Sequence, residues 1–157
     1  TVREALLRTS PARVICTASD PYGEGRPFAQ DLQENGLDVE LVEDEQAPRQ
    51  LEWASLLLLG ADTVFRCGTL CNKVGTRALA EAAHDEGVPV IVACELLKLA
   101  PMRAEDAPPL TEPEFELTPP ELIDCVMTEE GGHPPEEIAA LVDRTPFLRA
   151  GYTLLGR

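Results

Sequence analysis

The stretch Leu56-Leu-Leu-Leu-Gly60-Ala-Asp62-Thr-Val-Phe-Arg-Cys67-Gly68-Thr-Leu-Cys71-Asn72-Lys73-Val-Gly75-Thr76 decides the fold. Its four leucines read as a strand hidden on both faces, because strands of a parallel sheet are covered by helices on either side. Gly60 and Ala61 let the chain turn where that strand ends, and Asp62 follows at the mouth of a loop. Asn72 and Lys73 then read as the opening of a helix over 72–86. Val74, Leu79, Ala82 and Ala83 make its inner face, and Gly87 stops it. A carboxylate, an amide and an ammonium are thereby predicted at the carboxyl end of a strand and the amino end of a helix. Open α/β sheets bind ligands at that place, and the unpaired N–H groups of a helix start favour anions there.

Working outward, apolar runs predict strands over 13–17, 38–43, 55–60, 88–94 and 124–128. Helical spacing predicts helices over 2–9, 27–35, 46–54, 72–86 and 134–148, with Gly36 capping the second. The segment 95–117 carries prolines and scattered acids and reads as a long surface excursion. Residues 119–123 give one helical turn, Gly131-Gly132 reads as a turn, and residues 149–157 resist assignment. Strands alternating with helices predict an α/β fold with a parallel sheet and helices on both faces. With 157 residues the chain reads as a single domain over 13–157, preceded by the end of a linking helix over 1–12.

Acids outnumber bases by 28 to 13, for a net charge of −15. Phosphate backbones require basic patches, so no direct nucleic-acid contact is expected. No apolar run approaches the roughly 20 residues of a membrane helix, and no signal-peptide pattern opens the chain. The expected location is cytoplasmic, with the five cysteines reduced. The chain starts with Thr1 rather than Met, which reads as a processed or excised boundary. No metal site is expected: Cys67 and Cys71 have no second Cys/His pair at finger spacing. No cofactor is expected either.

Two readings of Asp62 stay open: a proton carrier in a cleft, and a turn cap bonded to backbone N–H groups. Asn72 is a favoured N-cap residue. Lys73 in a first helical turn opposes the helix dipole, and a bound phosphate or carboxylate would justify it there. Gly68 and Gly75 permit close backbone approach. The loop Ser19-Asp-Pro-Tyr-Gly-Glu-Gly25 follows the first predicted strand and faces the same crevice, with Arg26 as its one base suited to a phosphate. Cys67 or Cys71 near Lys73 would be nucleophilic if its pKa were lowered, and a small buried hydrophobe otherwise.

These residues carry a resemblance. Gly60-Ala-Asp62 with Gly68, Asn72-Lys-Val-Gly-Thr76 and Val88-Pro-Val-Ile-Val-Ala93 resemble the family of initiation factor 2B alpha, beta and delta subunits. That family includes methylthioribose-1-phosphate and ribose-1,5-bisphosphate isomerases. Phe115-Glu-Leu-Thr-Pro-Pro-Glu-Leu-Ile-Asp124, Val126-Met-Thr-Glu129 and Gly131 look like its closing signature, and Val14 to Thr17, Pro21, Gly25 and Gly36 to Val39 match the start of its domain. The similarity runs from about Arg13 to Leu141. It implies a Rossmann-like carboxyl-terminal domain. It also implies Asp62 as proton-transferring acid, and Asn72, Lys73, Gly68, Gly25 and Arg26 around a phosphorylated sugar. Partners would be further copies or related subunits.

Three departures qualify the activity. Asp20 stands where the isomerases carry Arg, and Glu24 stands where the methylthioribose enzyme carries Gln. The isomerases' catalytic cysteine lies in an upstream segment that neither Cys67 nor Cys71 matches. The expected function is an initiation-factor-2B-like domain that is not catalytic and binds protein partners and a phosphorylated ligand. The alternative is an aldose-ketose isomerase domain.

Overall fold

A computed structural model describes residues 2–154. The chain opens with helix α1 (Val2–Thr9), strand β1 (Val14–Thr17), helix α2 (Gly25–Glu34) and strand β2 (Val39–Val42). β1 and β2 pair in parallel, and Cys16, Ala29, Leu32 and Val39 form a small core between them and α2. A short helix α3 (Ala47–Gln50), flanked by 3-10 turns, leads to β3 (Leu57–Leu59).

The order then departs from simple βαβ alternation. β3 is followed by β4 (Thr63–Phe65), β5 (Leu70–Lys73), helix α4 (Thr76–Glu86) and β6 (Val90–Ala93). β7 (Leu99–Ala100), β8 (Phe115–Thr118), β9 (Cys125–Thr128), β10 (Gly131–His133), α5 (Ile138–Arg144) and α6 (Pro146–Leu154) complete the described residues. Two four-stranded sheets result, in the orders β10-β9-β6-β3 and β7-β4-β5-β8. In the first, β3, β6 and β9 are parallel and β10 folds back antiparallel. In the second, β5 runs antiparallel to both β4 and β8, and only β7 joins β4 in parallel.

The expected α/β class therefore holds, but the expected single parallel sheet does not. The segment 63–73 makes a tight hairpin, closed by bonds from the Phe65 N–H to the Thr69 carbonyl and from the Gly68 N–H to the Phe65 carbonyl. So short a connection allows only antiparallel pairing. The excursion 95–117 is not wholly surface loop, since it supplies β7 and the start of β8. Gly131-Gly132 lies in β10, and the turn before it is Glu129-Glu130. The predicted helix over 134–148 is interrupted at Thr145-Pro146, because proline cannot continue the helical hydrogen-bond ladder. Of the unassigned tail, residues through Leu154 are helical and 155–157 lie outside the described residues.

The main core joins both four-stranded sheets. Val64 and Leu70 from one meet Val90, Val92 and Val126 from the other, with Ile138 of α5, all essentially without solvent contact.

Candidate functional site

Asn72 and Lys73 do not open a helix; they are the last two residues of β5. Their backbones pair with Glu116 and Phe115 of β8. Leu70 and Cys71 anchor the strand in the core, and Asn72 and Lys73 emerge from it half-buried. The helix begins beyond them, with Gly75 at the capping position of α4.

The register pairing Thr63 with Cys71 sets Asp62 level with Asn72. The Asp62 N–H donates to the Cys71 carbonyl at 3.2 Å, while its carboxylate stays exposed. The Asn72 amide donates to the Thr76 hydroxyl at 3.1 Å, bracing the strand end against α4. Lys73 reaches across to the loop 19–25. Its ammonium lies 2.6 Å from the Glu24 carboxylate and 4.8 Å from the centroid of the Tyr22 ring. The Glu24 hydrogen bond raises the Lys73 pKa, burial opposes it, and the charges of Glu24, Asp62 and Tyr22 add to the rise. Lys73 is thus firmly cationic, with acids on two sides.

The loop itself is rigidly placed. A Cβ on Gly25 would sit 1.7 Å from the Thr17 carbonyl oxygen, so only glycine lets α2 start so close to β1. The Asp44 carboxylate accepts the Ser19 and Asp20 N–H groups, each at 2.8 Å. Arg26 donates to both oxygens of Glu43, at 3.0 and 3.2 Å, and lies 3.9 Å from Asp20. Gly68 is buried and packs against Pro135, so its close backbone approach is to the chain itself.

Asp62, Asn72, Lys73 and the loop before Gly25 are therefore brought together. Arg26 is turned to Glu43, and Gly25 and Gly68 serve packing. Tyr22, Asp44 and Glu116 also contact these elements, and none of them stands out in the sequence. Glu116 accepts the Arg77 N–H at 2.9 Å and so sits at the start of α4, where an anion was expected. No local pattern announces it, because β8 pairs with β5 from some forty residues away.

The cysteines are all unpaired. Burial pushes the Cys16 thiol up to about 11 and Cys94 up to about 12. Burial and the Asp62 charge also raise Cys71. Cys67 moves the other way: burial raises it, but hydrogen bonds with the Thr69 hydroxyl and the Ala104 and Thr69 N–H groups outweigh that and lower its pKa. Among the described residues no group of three or more His, Cys, Asp or Glu side chains converges as metal ligands do. No helix among them is long and apolar enough to cross a membrane.

Comparison with known proteins decides the family. Residues 1–112 match the initiation factor 2 subunit family. The chain belongs to that family. Among curated members, it is 34% identical to the ribose 1,5-bisphosphate isomerase of Haloferax volcanii, over 90% of this chain and 51% of that protein. It is equally 34% identical to a putative translation initiation factor eIF-2B subunit 2-like protein of Pyrococcus abyssi, over 79% of this chain and 49% of that protein. Among solved members, the translation initiation factor eIF-2B of Pyrococcus horikoshii superposes with a TM-score of 0.78 at 31% identity, covering 85% of this chain and 53% of that one. The chain spans about half the length of the family members it matches.

Proposed function

We propose that the chain is the sugar-phosphate-binding half of a ribose 1,5-bisphosphate isomerase-type protein, with Asp62 as proton carrier and Lys73 as the cation that holds phosphate. The observation that carries this reading is the placement of an exposed carboxylate, Asp62, beside the Lys73 ammonium at the open end of one hairpin. The similarity to ribose 1,5-bisphosphate isomerases, at about a third of positions, supports it.

In the reaction the C1–O4 bond of the furanose opens. The hydrogen on C2 moves to C1, the proton of the C2 hydroxyl ends on O4, and C2 becomes the ketone. No oxidant is consumed. Asp62 takes the C2 proton and returns it at C1, and Lys73 fixes a phosphate so that both carbons stay within its reach. The test uses the full product of the reading frame, incubated with ribose 1,5-bisphosphate and followed by NMR for the ketose. Turnover that falls about 10²- to 10⁴-fold in Asp62→Asn is the expected result. Absence of ketose with the parent protein overturns the reading.

A second reading is a non-catalytic, initiation-factor-like domain that binds partner subunits. It is favoured by Glu24 and Glu116, which already occupy Lys73 and the start of α4. Ketose formation by the parent protein would overturn this second reading, and turnover unchanged in Asp62→Asn would remove Asp62 from the first.

A further inference from the structure

Every positive feature of the crevice already has an internal carboxylate. Asp44 holds the loop N–H groups, Glu43 holds Arg26, Glu116 holds the start of α4 and Glu24 holds Lys73. These four contacts differ in kind. Asp44 and Glu116 bond backbone N–H groups that cannot move without unfolding a loop or a helix end. Glu43 grips Arg26 through both oxygens. Glu24 makes one side-chain ion pair, and its side chain is 61% exposed. Its backbone is fixed, because Gly25 is pressed against β1 and its N–H bonds to the Ala18 carbonyl at 3.0 Å. Releasing Lys73 therefore needs only a side-chain rotation into solvent.

We infer that Glu24 is the residue that determines how strongly this crevice takes an anion: it pairs with the Lys73 ammonium and is displaced by an incoming phosphate. The inference rests on the sugar-phosphate reading of the site and adds to it the residue that tunes affinity. A phosphate dianion offers three oxygens and more charge than one carboxylate, so charge-assisted hydrogen bonds to Lys73 favour the exchange. Glu24 sets the threshold by competing for the same ammonium, and its charge repels the ligand as it enters. The Tyr22 ring, 4.8 Å from the Lys73 ammonium, adds a second attraction that does not depend on Glu24.

The test titrates inorganic phosphate into the chain and reads Lys73 and its neighbours by NMR, with no turnover required. Glu24→Gln removes the competing charge and leaves the backbone intact. Phosphate affinity is expected to rise about two- to fivefold, the scale of an exposed ion pair. Glu24→Asp, one methylene shorter, should fall between the two. Lys73→Ala should abolish the phosphate response in both backgrounds. Phosphate affinity that stays the same or weakens in Glu24→Gln overturns the inference, and so does a response that survives Lys73→Ala. Failure here is separate from failure of the isomerase reading: the first is seen in binding, the second in ketose formation by the complete protein.

Discussion

The two four-stranded sheets are built from the same aliphatic residues and do opposite work. In the sheet containing β3, β6 and β9, parallel strands bury Val90, Val92 and Val126 and put no chemistry on view. In the sheet containing β4, β5 and β8, Val64 and Leu70 are buried just as deeply, yet β5 runs on to Asn72 and Lys73 and shows them to solvent. The difference lies in the hairpin. An antiparallel strand that turns back beside its neighbour can be anchored at one end and display polar side chains at the other. Scaffold and candidate site thus share one strand, and burial falls away between Cys71 and Asn72.

The crevice's other wall gives the sharpest way to break this division. Gly25→Ala forces a methyl into the Thr17 carbonyl, and urea unfolding is expected to show a loss above about 4 kcal/mol or no folded protein at all. Retention of near-parent stability would mean that the loop 19–25 is not held as described. Within β5 the division predicts a contrast three residues apart. Leu70→Ala should cost about 2–5 kcal/mol, as for a core leucine. Lys73→Ala should leave the unfolding curve unchanged and affect only anion binding. If Lys73→Ala destabilises as much as Leu70→Ala, the strand end is scaffold and not site.

Thiol chemistry extends the contrast. Alkylation of the native chain near pH 8 should label Cys67, in the hairpin, well before Cys94, at the end of β6, because only the thiolate reacts and burial holds Cys94 near 12. Peptide mapping that finds Cys94 labelled at the same rate would contradict the burial described here. The smallest loss of stability above zero is expected at Glu116→Gln. Removing the carboxylate from the start of α4 should cost about 1 kcal/mol, the size of a lost cap. It should leave β5 paired with β8, since that pairing is made by backbone groups.

The sequence was legible where one element answers to its own residues. The Val88 to Ala93 run at β6 announces a buried strand. The leucine run announces β3 but not its place: β3 is the edge of its sheet, with Leu57 and Leu58 half-buried and Leu56 exposed, so the expected burial on both faces does not hold. It was misleading where a partner far along the chain decides. Asn72 is a good N-cap and the residues after it have helical spacing, so local signals favour a helix from Asn72. Pairing with Phe115–Thr118 across some forty residues outweighs them and makes residues 70–73 a strand. β8 was hidden in turn, because it is reached through a proline-rich connection that reads as loop. The break at Pro146 was missed, the helix being expected unbroken over 134–148, although a proline ends a helical ladder whatever surrounds it. The neutralisation of Lys73 by Glu24 was half legible: Glu24 stood out as an acid facing the pocket, but its 2.6 Å approach to Lys73 needed the strand placement.

In the proposed function, Asp62 and Lys73 at the end of the hairpin form one sugar-phosphate site with the loop before Gly25. The most direct measurement is a backbone amide NMR titration of the chain with ribose 1,5-bisphosphate. Saturable shifts confined to residues 19–25, 60–63 and 71–77 are expected, lost together in Lys73→Ala. Shifts centred on the β9–β10 edge or on α5, or a full response in Lys73→Ala, would contradict it.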